Sequence, residues 1–307
     1  MTSTVNIKSV LPTSKRVWKV VSKVLIYLVM TFFAVIMLLP FYWSIITAIR
    51  PDSESMSVPI SFVPKQITFE NFIKFFSADE ANFFPALGYT VLITAVGMFT
   101  NLFFGSMAGY AFAKLQFRGR KTIFQIMIMA LMIPSIVTIL PQYMVLAKFP
   151  LVGGNDILGQ GGAGFVGTPW AVVLPGAIGV YGVFFMRQFF HGVPQALGEA
   201  ARIDGASEFR IFWQIYLPQV TSGLITLGII TFNSYWNSYL WPSLVLKASN
   251  SDVTMLSLIL GDYQQIYETN YGSIMAGSLV IMLPSLLIFA FLQKYFMNTV
   301  TFAGIKE

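Results

Sequence analysis

The 307-residue chain contains no cysteine and a single histidine, and charged residues make up only 10% of it. Without cysteine there is no disulfide and no thiolate-held metal, and no metal site is nominated. The lone histidine, His191, follows an apolar run near its expected cytoplasmic end and reads as a solvated or interface group, not as a catalytic one. No Gly-Lys dipeptide occurs anywhere, so the Gly-x-x-x-x-Gly-Lys-Ser/Thr phosphate loop is absent and the chain cannot bind ATP in that mode. Acidic residues number 13, and none falls between Glu80 and Asp156 or between Asp156 and Glu199. That gap removes the membrane-depth carboxylates on which proton-coupled carriers depend. No nucleophile with a base beside it stands out, so no catalytic residue is nominated.

What is abundant is apolar surface. The chain is 56% hydrophobic, with 29 Phe, 13 Tyr and 6 Trp, and its mean hydropathy is +0.70. A water-soluble domain could not display that balance. Six segments, at about 22–49, 85–113, 122–147, 168–190, 218–245 and 273–296, each supply about 20 mostly apolar residues, enough to cross a bilayer as a helix. The fold class expected is all-α: a polytopic membrane protein of six transmembrane helices. The basic start resembles a secretory signal, but its apolar run is too long and lacks a small-residue cleavage site, so it is an uncleaved first span. With both termini in the cytoplasm, 14 of the 19 basic residues fall inside and nine of the 13 acidic residues outside. The net charge of +6 follows from this topology and calls for no nucleic acid.

The organisation expected is a cytoplasmic arm at 1–20, one transmembrane domain over 21–299 and a cytoplasmic tail at 300–307. Thr68 offers a cap for a short surface helix in the outside segment between Arg50 and Pro85. The Gly-rich stretch 151–169 reads as an outside loop, because interior glycines cost a helix up to about 1 kcal/mol each. Prolines interrupt several spans: Pro40, Pro134, Pro141, Pro175, Pro242 and Pro284. Each frees a backbone carbonyl that protein or a wet cavity must receive.

Between two apolar runs sits "EAARIDGASEFRIFWQIYLP", residues 199–218. Ala196, Ala200 and Ile203 recur at helical spacing after Pro194, and Glu199 and Arg202 are three apart. Gly205 supplies a left-handed stop, and Ser207 with Glu208 opens a second helix bearing Phe209, Phe212, Trp213 and Tyr216 as an apolar stripe. The result is a helical hairpin over 194–216. Spacing allows two readings: a pair of helices lying in the headgroup layer, or a rigid knob that enters a partner's groove.

Here the sequence resembles the EAA motif of ABC importer permeases, through Glu199, Ala200, Ala201, Asp204, Gly205, Ile215, Leu217 and Pro218. Further stretches are similar to the carbohydrate-importing, maltose-type branch: "AGYAFAKLQFRGR" at 108–120, "MIPSIVTILPQY" at 132–143, "WNSYLWP" at 236–242 and much of 258–296. The resemblance implies that the first hairpin helix docks in a cleft of a cytoplasmic ATPase and couples nucleotide-driven closure to the spans. It implies as partners a second homologous permease, two ATPase subunits that bind ATP and Mg, and an extracytoplasmic sugar-binding protein. This chain itself would hold no cofactor and would lie in a bacterial-type inner membrane. Two departures stand out: Ser238 where relatives often carry an acidic residue, and a "TVTFAGIKE" end in place of the usual Gly-Ala-Val-Lys-Gly type tail.

Candidate contacts along a translocation path are neutral: Asn101, Gln142, Tyr143, Asn233, Tyr235, Trp236, Asn237 and Tyr239. Sugars suit such groups, since hydroxyls need donors and acceptors while C–H faces stack on rings. The aromatics among them fit an interfacial belt equally well. The function expected is import of an oligosaccharide or related sugar by alternating access; a modified or uronic sugar, or a stand-alone secondary carrier, are the other readings.

Overall fold

The computed structural model describes residues 13–55, 61–77, 83–248, 252–266 and 270–304. Most of the amino-terminal arm, residues 1–12, and the last three residues of the tail lie outside the described residues, as do parts of the stretch expected between the last two spans.

Besides a single helical turn at Asp52–Ser55, the helices are α1 (Thr13–Ala48), α2 (Glu70–Ser77), α3 (Phe83–Lys114), α4 (Arg120–Ala130), α5 (Ser135–Ala147), α6 (Pro169–Val173, continued as a 3-10 turn over Leu174–Gly176), α7 (Val180–Gly192), α8 (Ala196–Ile203), α9 (Glu208–Gln219), α10 (Thr221–Trp236), α11 (Leu240–Lys247), α12 (Leu256–Ile266) and α13 (Tyr271–Gly304). No strand occurs among the described residues. Three helices are single apolar spans, Trp18–Ala48, Phe83–Lys114 and Tyr271–Tyr295. Three more spans are bent pairs: α4 with α5 at 103°, α6 with α7 at 43°, and α9 with α10 at 82°. Taken as one span each, the pairs bring the total to six, and the chain is an all-α integral membrane protein.

The prolines do not act alike. The run 122–147, expected as one helix, breaks at Leu131–Pro134, while Pro141 sits inside α5. Pro40 and Pro284 likewise lie within continuous helices. The fifth span stops at Trp236 rather than running to 245, and Pro242 falls in the first turn of α11, where its missing N–H costs nothing.

The chain forms two compact units. One comprises the residues up to Lys74 with Asn270–Leu279. In it Arg50, counted from sequence only as an outside charge, is 2% exposed. Its guanidinium donates to Thr47 Oγ1 at 3.0 Å and to the Ser61 carbonyl at 3.3 Å, and lies 4.7 Å from the Trp43 ring centre. Thr68 caps α2 as expected, accepting from the Glu70 N–H at 3.1 Å.

The other unit, Phe75–Thr269 with the residues from Val280 onward, is built on α3. α7 and α10 pack along it because small residues let backbones approach. A Cβ added at Gly105 would lie 3.4 Å from the Gly182 backbone, and one at Gly109 would meet Met186 Cβ at 2.8 Å. Two apolar clusters result. One gathers Tyr110, Met186, Phe190, Ile211, Phe212 and Tyr216, and the other gathers Ile93, Val172, Tyr235, Leu246 and Met255.

Candidate functional site

The hairpin is fastened to the membrane helices by its own second half. α8 ends at Asp204, and Gly205 turns the chain at φ 78°, with the Ala206 N–H donating to the Ala201 carbonyl at 2.9 Å. Ser207 then caps α9, accepting from the Arg210 N–H at 3.4 Å. Residues Ile211–Tyr216 are wound as a π-helix. Its wider turn places Ile211, Phe212 and Tyr216 on one buried face, whereas ordinary helical spacing had predicted a stripe that included Phe209 and Trp213, both exposed.

Across the hairpin, Arg202 bonds to Glu208 rather than to Glu199. Its guanidinium donates to both carboxylate oxygens, at 2.6 and 3.2 Å. The Tyr110 hydroxyl of α3 donates to the same carboxylate at 2.9 Å. Glu208 thus ties both hairpin helices to the membrane core. Arg202 holds the carboxyl below the usual carboxylate range, and the Tyr110 hydrogen bond adds to that. Tyr216 lies in the angle between the helices, its hydroxyl donating to the Gln195 carbonyl at 3.4 Å. Gly198 makes room for that ring, since a Cβ there would fall 2.6 Å from the tyrosine oxygen.

The other face of α8 is bare. Glu199, Ala200 and Asp204 are exposed, and Ile203 is 87% exposed. Of the EAA residues, Ala201 is buried in the core cluster, with Ile215 and Leu217 packed against it. Pro218 is exposed and begins the bend into α10.

A separate cavity of about 420 Å³ opens among α3, α5, α6, α7 and α10. Of the path candidates, it brings together Asn101, Gln142 and Tyr235. Asn101 donates from Nδ2 to the Gly176 carbonyl at 3.0 Å, while its Oδ1 is buried with no partner. Gly179 and Gly182 exist to admit this amide, since a Cβ at either would lie 2.4–2.6 Å from it. Tyr235 donates to the Val173 carbonyl at 3.3 Å, and its ring fills the space left by Gly97.

The remaining candidates sit elsewhere. The Trp236 indole is buried and donates to the Ile281 carbonyl at 2.9 Å. Asn233 and Asn237 bond along their own helix, to the carbonyls of Ile229 and Asn233. Tyr143 packs on the apolar cluster around Ile93, and Tyr239 lies over Gly261. Sequence reasoning missed Ser135, Tyr181, Thr231 and Ser234, which also line the cavity. A signal was available: Thr231, Ser234 and Tyr235 follow i, i+3, i+4 on one face of α10, and Ser238, just past its end, continues the spacing.

The family model for binding-protein-dependent transport system inner membrane components matches residues 101–301. Among curated relatives, the arabinooligosaccharides transport system permease protein of Halalkalibacterium halodurans is 34% identical over 277 residues, 90% of this chain and 93% of that protein. The lactose transport system permease protein of Rhizobium radiobacter is 29% identical over 273 residues, 89% of this chain and 92% of that protein. The fold is that of a bacterial ABC transporter involved in the import of alginate, an acidic polysaccharide, with a TM-score of 0.74 at 20% identity, covering 93% of this chain and 99% of that one. An all-α membrane chain of up to six spans that carries an EAA hairpin, matched by that model over more than half of its length, belongs to the binding-protein-dependent transport system inner membrane components, as a transport permease subunit.

Proposed function

We propose that this permease imports a neutral oligosaccharide by alternating access, powered by two separate ATPase subunits and paired with a second homologous permease. An extracytoplasmic binding protein delivers the cargo, and ATP with Mg is held by the ATPases. In this reading residues 21–299 form one transmembrane domain, with the arm at 1–20, the tail at 300–307 and the hairpin in the cytoplasm. The observation that carries it is the asymmetry of α8. One face is locked through Gly198, Ala201, Arg202 and Glu208 onto Tyr216 and Tyr110, and the other presents Glu199, Ala200 and Ile203 to a partner. A lever must be rigid on one side and free on the other.

The relatives' cargoes, arabinooligosaccharides and lactose, support a sugar. The cavity around Asn101 is lined by amides, hydroxyls and aromatic rings with no charged side chain among the described residues, which favours a neutral sugar over a uronic one.

The test is purification of the complex from its native membrane in mild detergent, with mass spectrometry of its subunits and an ATPase assay. A second permease and an ATPase should accompany the chain, with hydrolysis stimulated by sugar-loaded binding protein. Ile203→Asp and Glu199→Arg should insert normally yet lose ATPase association. A homo-oligomer free of ATPase would sink the assignment.

A further inference from the structure

Beside the root of the hairpin lie two adjoining cavities that the coupling role does not use. The larger, about 400 Å³, is lined by Lys114, Gln116, Arg120, His191 and the Val193–Gln195 turn. The smaller, about 210 Å³, is lined by Arg120, Lys121, Phe124 and Arg187. Arg120 is common to both, so three helix ends, those of α3, α4 and α7, converge their cations on one place.

These cations are built into the protein. Lys114 is 7% exposed; its ammonium donates to the Val193 carbonyl and lies 5.3 Å from the Tyr216 ring centre. Arg187 donates from Nε to the Phe112 carbonyl at 3.3 Å, with its guanidinium 4.0 Å from the Phe124 ring centre. Arg120 donates to the Leu115 carbonyl at 2.7 Å. All three therefore meet only neutral partners, and none pairs with a carboxylate among the described residues. Arg120 and Arg187 lie within each other's field, and His191 lies in the field of both and of Lys114. Partly buried like charges without a counterion are costly, and each added anion relieves several of them at once. The surroundings point to the source of that anion. α4 buries none of its side chains, and beyond Arg120 it carries the exposed apolar groups Ile123, Ile126 and Met129. A charged head beside apolar surface is the pattern of a membrane lipid.

We infer that this double cavity binds the phosphate of an anionic phospholipid, held by Lys114, Arg120 and Arg187, with the acyl chains along α4. Its contact with Val193 and Gln195 sets the lipid against the start of the hairpin, so its occupancy bears on the stiffness of the lever. The inference rests on the cytoplasmic placement proposed above, where the inner leaflet supplies anionic lipid.

The test uses the whole importer in nanodiscs of phosphatidylcholine, with and without phosphatidylglycerol, and native mass spectrometry of the lipid that it retains. Both nanodisc leaflets have one composition, so the result does not depend on orientation, which cysteine labelling at Arg118 in cells checks separately. Wild type should retain phosphatidylglycerol selectively. Arg120→Gln and Arg187→Gln should each weaken retention about fivefold, the factor for about 1 kcal/mol per basic residue at an anionic surface. Arg187→Lys, which keeps the charge, should restore most of it and guards against misfolding as the cause. Equal retention by wild type and both glutamine variants would overturn the site. Occupancy by inorganic phosphate at the same concentration in phosphatidylcholine alone would replace the lipid with a soluble phosphate. Lipid selectivity that appears only after the ATPase subunits are stripped from the importer would make an acidic segment of that partner the occupant.

Discussion

The hairpin root and the Asn101 cavity treat polar groups in opposite ways. At the hairpin root the groups that join it to the core are answered: Glu208 takes three hydrogen bonds from Arg202 and Tyr110, and Tyr216 donates to Gln195. In the cavity Asn101 keeps an acceptor with no donor, beside 420 Å³ of open volume. A satisfied network resists deformation, whereas an unpartnered buried acceptor favours any rearrangement that brings it a donor. Under the proposed function the first transmits motion and the second binds cargo.

That contrast can be broken at either end. The largest effect is expected at Gly198. Gly198→Ala drives a methyl against the buried Tyr216 ring and should cost about 1–3 kcal/mol, seen as a lower melting temperature and poor stimulation by binding protein. Gly228→Ala, with its nearest neighbour at 3.8 Å, should be silent; equal effects would show that hairpin packing is not the cause. Next comes Asn101→Leu, which keeps the volume and deletes the orphan acceptor. It should lower cargo uptake about tenfold, equivalent to about 1.4 kcal/mol, while thermal stability changes by less than the Gly198 variant's. Normal uptake would remove the amide from the path.

Tyr110→Phe should weaken the hairpin by about 1 kcal/mol, read by hydrogen exchange of α8 amides. The smallest effect concerns pH. Because Arg202 depresses the folded carboxyl of Glu208, the stability it contributes is complete above the unfolded value of about 4.3 and is lost as pH falls through the lower folded value. The pair is half exposed, so about 0.2–1 kcal/mol is at stake. Glu208→Gln should flatten the acid limb of stability; an unchanged limb would assign it to other carboxylates.

Much of this was legible in advance because it rests on local chemistry. The spans follow from length and hydropathy, the Thr68 and Ser207 caps from side-chain reach, and the Gly205 turn from the absence of Cβ. Other features depend on partners distant in sequence. Ordinary helical spacing placed Trp213 on the buried stripe, but a π-helix needs only that the core reward Ile211 and Tyr216 together, and nothing in the hairpin alone says so. Spacing paired Arg202 with Glu199, three residues away, but the Gly205 turn brings Glu208 to its guanidinium, where Tyr110, 98 residues away, donates as well. Asn233 and Asn237 looked as suited to a path as Asn101 did, yet they bond along their own helix, whereas the Asn101 amide reaches across to Gly176, Gly179 and Gly182.

The sequence by itself determined that the chain lives in a membrane, supplies about six apolar segments long enough to cross it and sets a charged hairpin between two of them. Those properties are sums over residues and short-range spacing, which no packing can reverse. Tertiary structure alone decided which proline breaks its helix, which asparagine is left with an open acceptor and which carboxylate anchors the lever. Each of those is settled by contacts between helices far apart in the chain, where a glycine in one element sets how near the next can come.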